Sequence, residues 1–121
     1  MRLEDLRFVI ENPSGTYKKF ADSLDDYPVL GVTYPTHYGY VEGFESEDGH
    51  DLDVFIGNGN LYGILRVNRD DVPGGIETKF IVGTSKKEIE AIRKQFEPVI
   101  HELETFGLET FLDRVAFFQR A

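Results

Sequence analysis

Apolar residues change period at Ser85, and that change narrows the folds open to this 121-residue chain. Before Ser85 they alternate. In Asp51–Ile56, Leu52, Val54 and Ile56 share one face of a strand, while Asp53 and Phe55 share the other. Thr33–Glu42 alternates aromatically. Leu6–Ile10, Leu61–Val67 and Lys79–Val82 read as further strands, and Ser14–Phe20 as the start of another. Asn12-Pro13-Ser14-Gly15 and Asp70–Gly75 are turn signals, and Asp22–Tyr27 is an acidic loop. After Ser85 the spacing becomes helical. Ser85 and Glu88 form a capping box, followed by Ile89, Ile92, Phe96, Val99, Ile100 and Leu103 on one helix face. Pro98 predicts a kink or break near Glu97, and Gly107 predicts a stop. Leu108, Phe111, Leu112, Val115 and Phe118 then mark a second amphipathic helix. Strands first and helices after, without repeats or a linker, predict one α+β domain over 1–121: a small β-barrel or curled sheet with two C-terminal helices on one side.

Composition sets the chemistry such a domain can support. Apolar residues make up 40% and aromatics 13%, enough for a modest core. The net charge of −9 argues against nucleic acid or an anionic membrane as partner. It leaves room for a small phosphate ligand, because a bound cation can invert the local sign. The absence of cysteine removes disulfides, thiolate metal sites and thiol nucleophiles. MRLEDLRFVIEN lacks the apolar core of a signal peptide and no apolar run approaches a membrane span, so a soluble cytoplasmic chain is expected.

One segment concentrates reactive groups. Between Tyr34 and Gly57, Asp48, Asp51 and Asp53 fall within six residues, beside Gly49 and His50. Ionised carboxylates this close repel one another, and either a divalent cation or a turn open to water relieves them. An EF-hand does not fit, because position 50 lacks the acid and position 53 the glycine that its loop needs. P-loop, dinucleotide and nucleophile-elbow motifs are absent. Tyr38 and Tyr40 flank Gly39, which permits a close backbone approach or a bulge. Taken singly, these residues have plain readings too. Tyr34 and Tyr40 suit cross-strand packing, Lys18-Lys19 an exposed edge, His37 and His101 the surface, and Glu11 a strand end.

Four segments in order change that balance. FVIENPSGTYKKF at 8–20 carries Glu11, Pro13 and Lys19. YPTHYGYV lies at 34–41 and DGHDLDVFIG at 48–57, and YGILRVNRDD is followed by IETKFIVG. Together they resemble the soluble inorganic pyrophosphatases of the metal-dependent β-barrel type (family I), over roughly 8–83. The resemblance implies an OB-like barrel and Mg²⁺-dependent hydrolysis of pyrophosphate, with Mn²⁺ as an alternative ion. It implies Asp48, Asp53, Asp70 and Glu77 as metal ligands, with Asp71 the weaker of its pair. It implies Glu11, Lys19, Tyr38 and Lys79 around the phosphates, and His50 with Asp53 at the attacking water. A small phosphate compound is the expected partner, and the phenylalanine-rich tail points to a homo-oligomer.

The chain also departs from that pattern. His50 stands where the family has its middle aspartate, and Asp51 where a proline is usual. Ala21 replaces an acid, Glu77 replaces an aspartate, and no arginine lies between Arg7 and Arg66. No Tyr-Lys pair follows in the helices. An imidazole at position 50 would accept a proton differently from a carboxylate, because protonation adds positive charge beside the metals. Two other functions therefore stand beside pyrophosphate hydrolysis: binding a phosphorylated ligand without turnover, and hydrolysis of another phosphate compound.

Overall fold

A computed structural model describes residues 1–121, and its framework is a sheet. The strands are β1 (Phe8–Asn12), β2 (Tyr17–Lys19), β3 (Gly31–Thr33), β4 (His37–Glu45), β5 (Asp51–Ile56), β6 (Leu61–Asn68), β7 (Ile76–Thr84) and β8 (Ile100–Phe106). Helix α1 (Lys86–Phe96) lies between β7 and β8, and α2 (Leu108–Val115) follows β8. Six strands form one sheet in the order β1-β4-β5-β7-β6-β8, and β2 and β3 form a separate pair. Every pairing is antiparallel except β5 with β7. The α+β class and the two C-terminal helices agree with expectation. Of the two forms expected, it is the curled sheet that holds and not the closed barrel, since β1 and β8 remain open edges. No helix is long and apolar enough to cross a membrane.

The helices also depart from the expected one-sided arrangement. Ile92 and Phe96 of α1 join Tyr38, Phe55, Leu65, Val67 and Ile81 in one core cluster. Phe111 and Val115 of α2 join Val41, Leu52, Val54, Ile64, Phe80 and Val82 in another. The helices therefore cover opposite faces of the sheet. The cause lies in the central strands: Phe80 and Ile81 are both fully buried, as are Val54 and Phe55, so successive side chains on both faces need cover.

The break at Pro98 is confirmed, but the segment beyond it is a strand. Helix α1 starts at the predicted capping box, where Ser85 and Glu88 satisfy each other's backbone N–H, and ends at Phe96. After one short 3-10 turn, Ile100–Phe106 pairs along the outer edge of β6. The i, i+3 spacing of Ile100, Leu103 and Phe106 mimics a helix. The unpaired backbone of β6 supplies the stronger demand, since eight residues of edge would otherwise lack partners. At the opposite edge, Gly39 is required by contact. A β-carbon there would lie 1.7 Å from the carbonyl oxygen of Val9, so only glycine lets β1 pair with β4.

Candidate active site

Strand register assembles the site. Tyr38 lies opposite Phe55 across β4 and β5, which makes Asp53 its diagonal neighbour on the same face. Val54 lies beside Phe80, so Asp53 and Lys79, one residue earlier on each strand, also share that face. Glu77 follows two residues away on β7. Stacking of Tyr38 on Tyr34, with centroids 4.3 Å apart, and its edge contact with Phe55 at 4.8 Å fix the phenol. Its hydroxyl donates to Asp53 Oδ2 at 2.8 Å and accepts from Lys79 Nζ at 2.6 Å. Lys79 Nζ also donates to Asp53 Oδ2 at 3.1 Å and forms an ion pair with Glu77 Oε1 at 3.4 Å.

The β4–β5 turn brings a further acid. Ser46 N–H donates to the His50 carbonyl and Gly49 N–H to the Ser46 carbonyl, while Gly49 adopts φ of +80°. Glu47 anchors the turn to β7 by accepting from Thr78 N–H at 2.8 Å and from its hydroxyl at 2.6 Å. Burial alone would raise the Glu47 carboxyl, but these hydrogen bonds prevail and hold it below its usual value. Asp48 thereby comes to face Arg69, which opens the β6–β7 loop. Arg69 grips Asp71 with two nitrogens, at 3.0 and 2.5 Å, and turns Nη1 toward Glu77 at 3.1 Å and Asp48 at 3.5 Å.

Charges therefore alternate along one chain of contacts, from Asp71 through Arg69, Glu77 and Lys79 to Asp53. Burial would lower the Lys79 ammonium, but Tyr38, Asp53 and Glu77 outweigh it and hold it well above the ordinary lysine value. Burial drives the Tyr38 phenol well above its own, against the opposing pull of Lys79. At neutral pH the pair is thus an ammonium and a neutral phenol.

These groups face a cavity of about 960 Å³. It brings together seven of the nine residues expected at the site: Glu11, Tyr38, Asp48, Asp53, Asp70, Glu77 and Lys79. It does not include His50 or Lys19. His50 is exposed and touches the acidic cluster only through its backbone N–H, which donates to Asp48 Oδ1 at 2.9 Å. The turn needed to aim Asp48 inward leaves the imidazole outside. Lys19 is exposed and pairs with Asp22, whereas Lys18 lines the cavity. Register explains the exchange: Lys18 lies opposite Val32, a buried residue of the α1-side core, so Lys18 shares that inward face.

Arg69 went unmarked in the sequence because it sits in a turn between polar residues, where periodicity says nothing. The apolar wall of Phe20, Tyr27 and Phe96 was equally hidden, being contributed by the end of a strand, a loop and the end of a helix.

The lining holds eight carboxylates against three cationic side chains, a net of −5. Such a cavity repels a phosphate unless cations accompany it. Carboxylate oxygen is the donor Mg²⁺ prefers. No hydrogen bond reaches Asp53 Oδ1 or either oxygen of Asp70, and no buried side-chain polar atom lacks a partner, so these oxygens face solvent. The donor set thus suits a hard cation, although no three acidic or histidine side chains are gathered closely enough to hold an ion unaided.

The family model for inorganic pyrophosphatase matches residues 1–102, which includes every residue of the cavity. No curated protein and no solved structure matches. With most of its length matched by that model, the chain belongs to the inorganic pyrophosphatase family.

Proposed function

We propose that this cavity binds inorganic pyrophosphate together with Mg²⁺ and hydrolyses it to phosphate. One observation carries the reading: carboxylates from the β4–β5 turn, β5, the β6–β7 loop and β7 converge on the cavity that Tyr38 and Lys79 floor. Asp48, Asp53, Asp70 and Glu77 would hold the metal, and Mn²⁺ offers the same oxygen preference. Bound Mg²⁺ supplies charge neutralisation at the phosphoryl oxygens and a more acidic water. Lys79 and Tyr38 then serve the phosphate end. The Lys79 contact with Glu77, at 3.4 Å its longest, is the one a phosphoryl oxygen would replace. Lys18, exposed at the rim, adds another ammonium. With His50 outside, the proton of an attacking water would have to pass to a wall carboxylate that does not hold the metal.

The test is phosphate release from pyrophosphate with and without Mg²⁺. Metal-dependent release that an Asp53→Asn variant loses is the expected result. The exposed position of His50 favours a second reading, a relative that binds a phosphorylated ligand without turnover. Pyrophosphate binding with no release at any Mg²⁺ concentration would select it. Release from other phosphate compounds but not from pyrophosphate would redirect the substrate.

A further inference from the structure

Arg69 has an unusual position for a cation in a pocket that must also admit metal. Its guanidinium lies among Asp48, Glu77 and Asp71, with its planar fork turned to carboxylates on either side. Two of those acids, Asp48 and Glu77, belong to the expected metal-binding set, and their side chains are only 14% and 5% exposed. A buried pair of carboxylates so close needs positive charge at all times. Here the protein provides it covalently. Glu77 is shared between Arg69 and Lys79, so neither of its immediate cationic neighbours depends on a diffusing ion.

A guanidinium is also the side chain best shaped to leave a carboxylate for a phosphate. Both anions present paired oxygens to its parallel donors, and a diphosphate carries more charge than either acid. Asp71 is exposed and holds Arg69 through Nε and Nη2, which leaves Nη1 as the donor that faces Asp48 and Glu77 and that a diphosphate would recruit.

We propose that Arg69 is a resident cation that holds Asp48 and Glu77 against divalent metal until a diphosphate draws its guanidinium away, so that metal enters with the anion and not before it. This rests on reading the cavity as a metal and diphosphate site. It adds an order of binding, and it makes Arg69 the residue that sets how much metal the free protein carries.

The experiment measures Mn²⁺ binding to the whole chain by the paramagnetic resonance of the unbound ion, without turnover. Wild-type protein should bind Mn²⁺ weakly alone and at least tenfold more tightly with methylenediphosphonate, a diphosphate whose bridge does not hydrolyse. Arg69→Met, without any diphosphate, should bind Mn²⁺ at least tenfold more tightly than wild type. Arg66→Gln makes the same change of charge three residues away, outside the cavity and without touching Asp48 or Glu77, and should stay within about threefold of wild type. Equal gains in both variants would reduce the effect to net charge and overturn the proposal. Tight Mn²⁺ binding by wild type without the diphosphonate would also overturn it, while leaving the metal site itself standing. That arm needs no variant to fold. If no form binds Mn²⁺ with or without methylenediphosphonate, the metal reading of the cavity fails and the proposal fails with it.

Discussion

The two faces of the sheet bury almost equal cores, eleven residues on the α1 side and ten on the α2 side, yet the cavity of about 960 Å³ opens on the α1 side alone. The α2 face is closed by aromatic contacts. Phe80 meets Phe111 at 5.7 Å and Phe118 at 5.6 Å, and Tyr62 meets Phe111 at 5.3 Å. On the α1 face Phe96 and Val99 are the last apolar cover, and beyond them the strands present Tyr38, Asp53, Glu77 and Lys79. The same pleat thus serves two ends. Where a helix covers the strand, the inward residue is apolar; where cover stops, it is charged and paired. The comparison separates residues that hold the fold from residues that make the site.

Lys79 should combine both kinds of loss and so give the largest effect. It is 9% exposed and lies between Asp53 and Glu77. Lys79→Met leaves two carboxylates without their shared cation, costing about 3–5 kcal/mol of stability. If Lys79 is the phosphate donor proposed above, the change should also lower the proposed pyrophosphate hydrolysis on the order of 10²–10³-fold, as loss of a preorganised donor does. Chemical denaturation and initial rates check the two parts separately. Phe111→Ala is the counterpart on the closed face. The ring is fully buried, and its loss should cost about 3–5 kcal/mol. Measured below its unfolding midpoint, that variant should keep the KM for pyrophosphate. A changed KM with unchanged stability would mean that the two faces are not separable.

The sequence was most legible where both the strand period and the turn chemistry were local. Asp51–Ile56 reads correctly to the residue, with Leu52, Val54 and Ile56 on one face and Phe55 on the other. The capping box at Ser85 is equally plain. Legibility failed where the decisive partner lay far along the chain. Strand β8 is helical in spacing and becomes a strand because β6 offers it an edge. The helices divide between two faces because the central strands are buried on both, which needs the sheet order to see. In the site, seven residues were visible as a pattern, but the choice between Lys18 and Lys19 depended on which one faces Val32. Arg69 became visible only when the β4–β5 turn and the β6–β7 loop came together.

Alkaline pH probes the open face through Tyr34, which is 3% exposed and whose phenol is pushed up to about 12 by burial, the largest cause. Its folded value exceeds the unfolded value of 10.0, so the folded state holds this proton more tightly. The associated stability is fully present below pH 10 and declines as pH rises from there to about 12, by about 3 kcal/mol in all. Urea midpoints measured across that window should fall. Replacing the phenol in Tyr34→Phe should flatten part of the fall, whereas a variant on the α2 face should leave its shape unaltered.

His50 should have the smallest effect, and it tests the comparison at its edge. The family resemblance set position 50 at the attacking water, and an imidazole there would make the rate depend on pH differently from a carboxylate. In the folded chain the imidazole is exposed and does not line the cavity, and only the backbone N–H of His50 supports Asp48. A backbone contact survives substitution, so His50→Ala should keep the rate of pyrophosphate hydrolysis within about twofold, a surface change of under about 0.5 kcal/mol. His50→Asp should likewise neither raise the rate nor move its pH profile, because a carboxylate at this position points to solvent as the imidazole does. A substantial gain in His50→Asp would mean that the turn can bring residue 50 into the cavity, and the boundary between site and surface would then shift by one side chain.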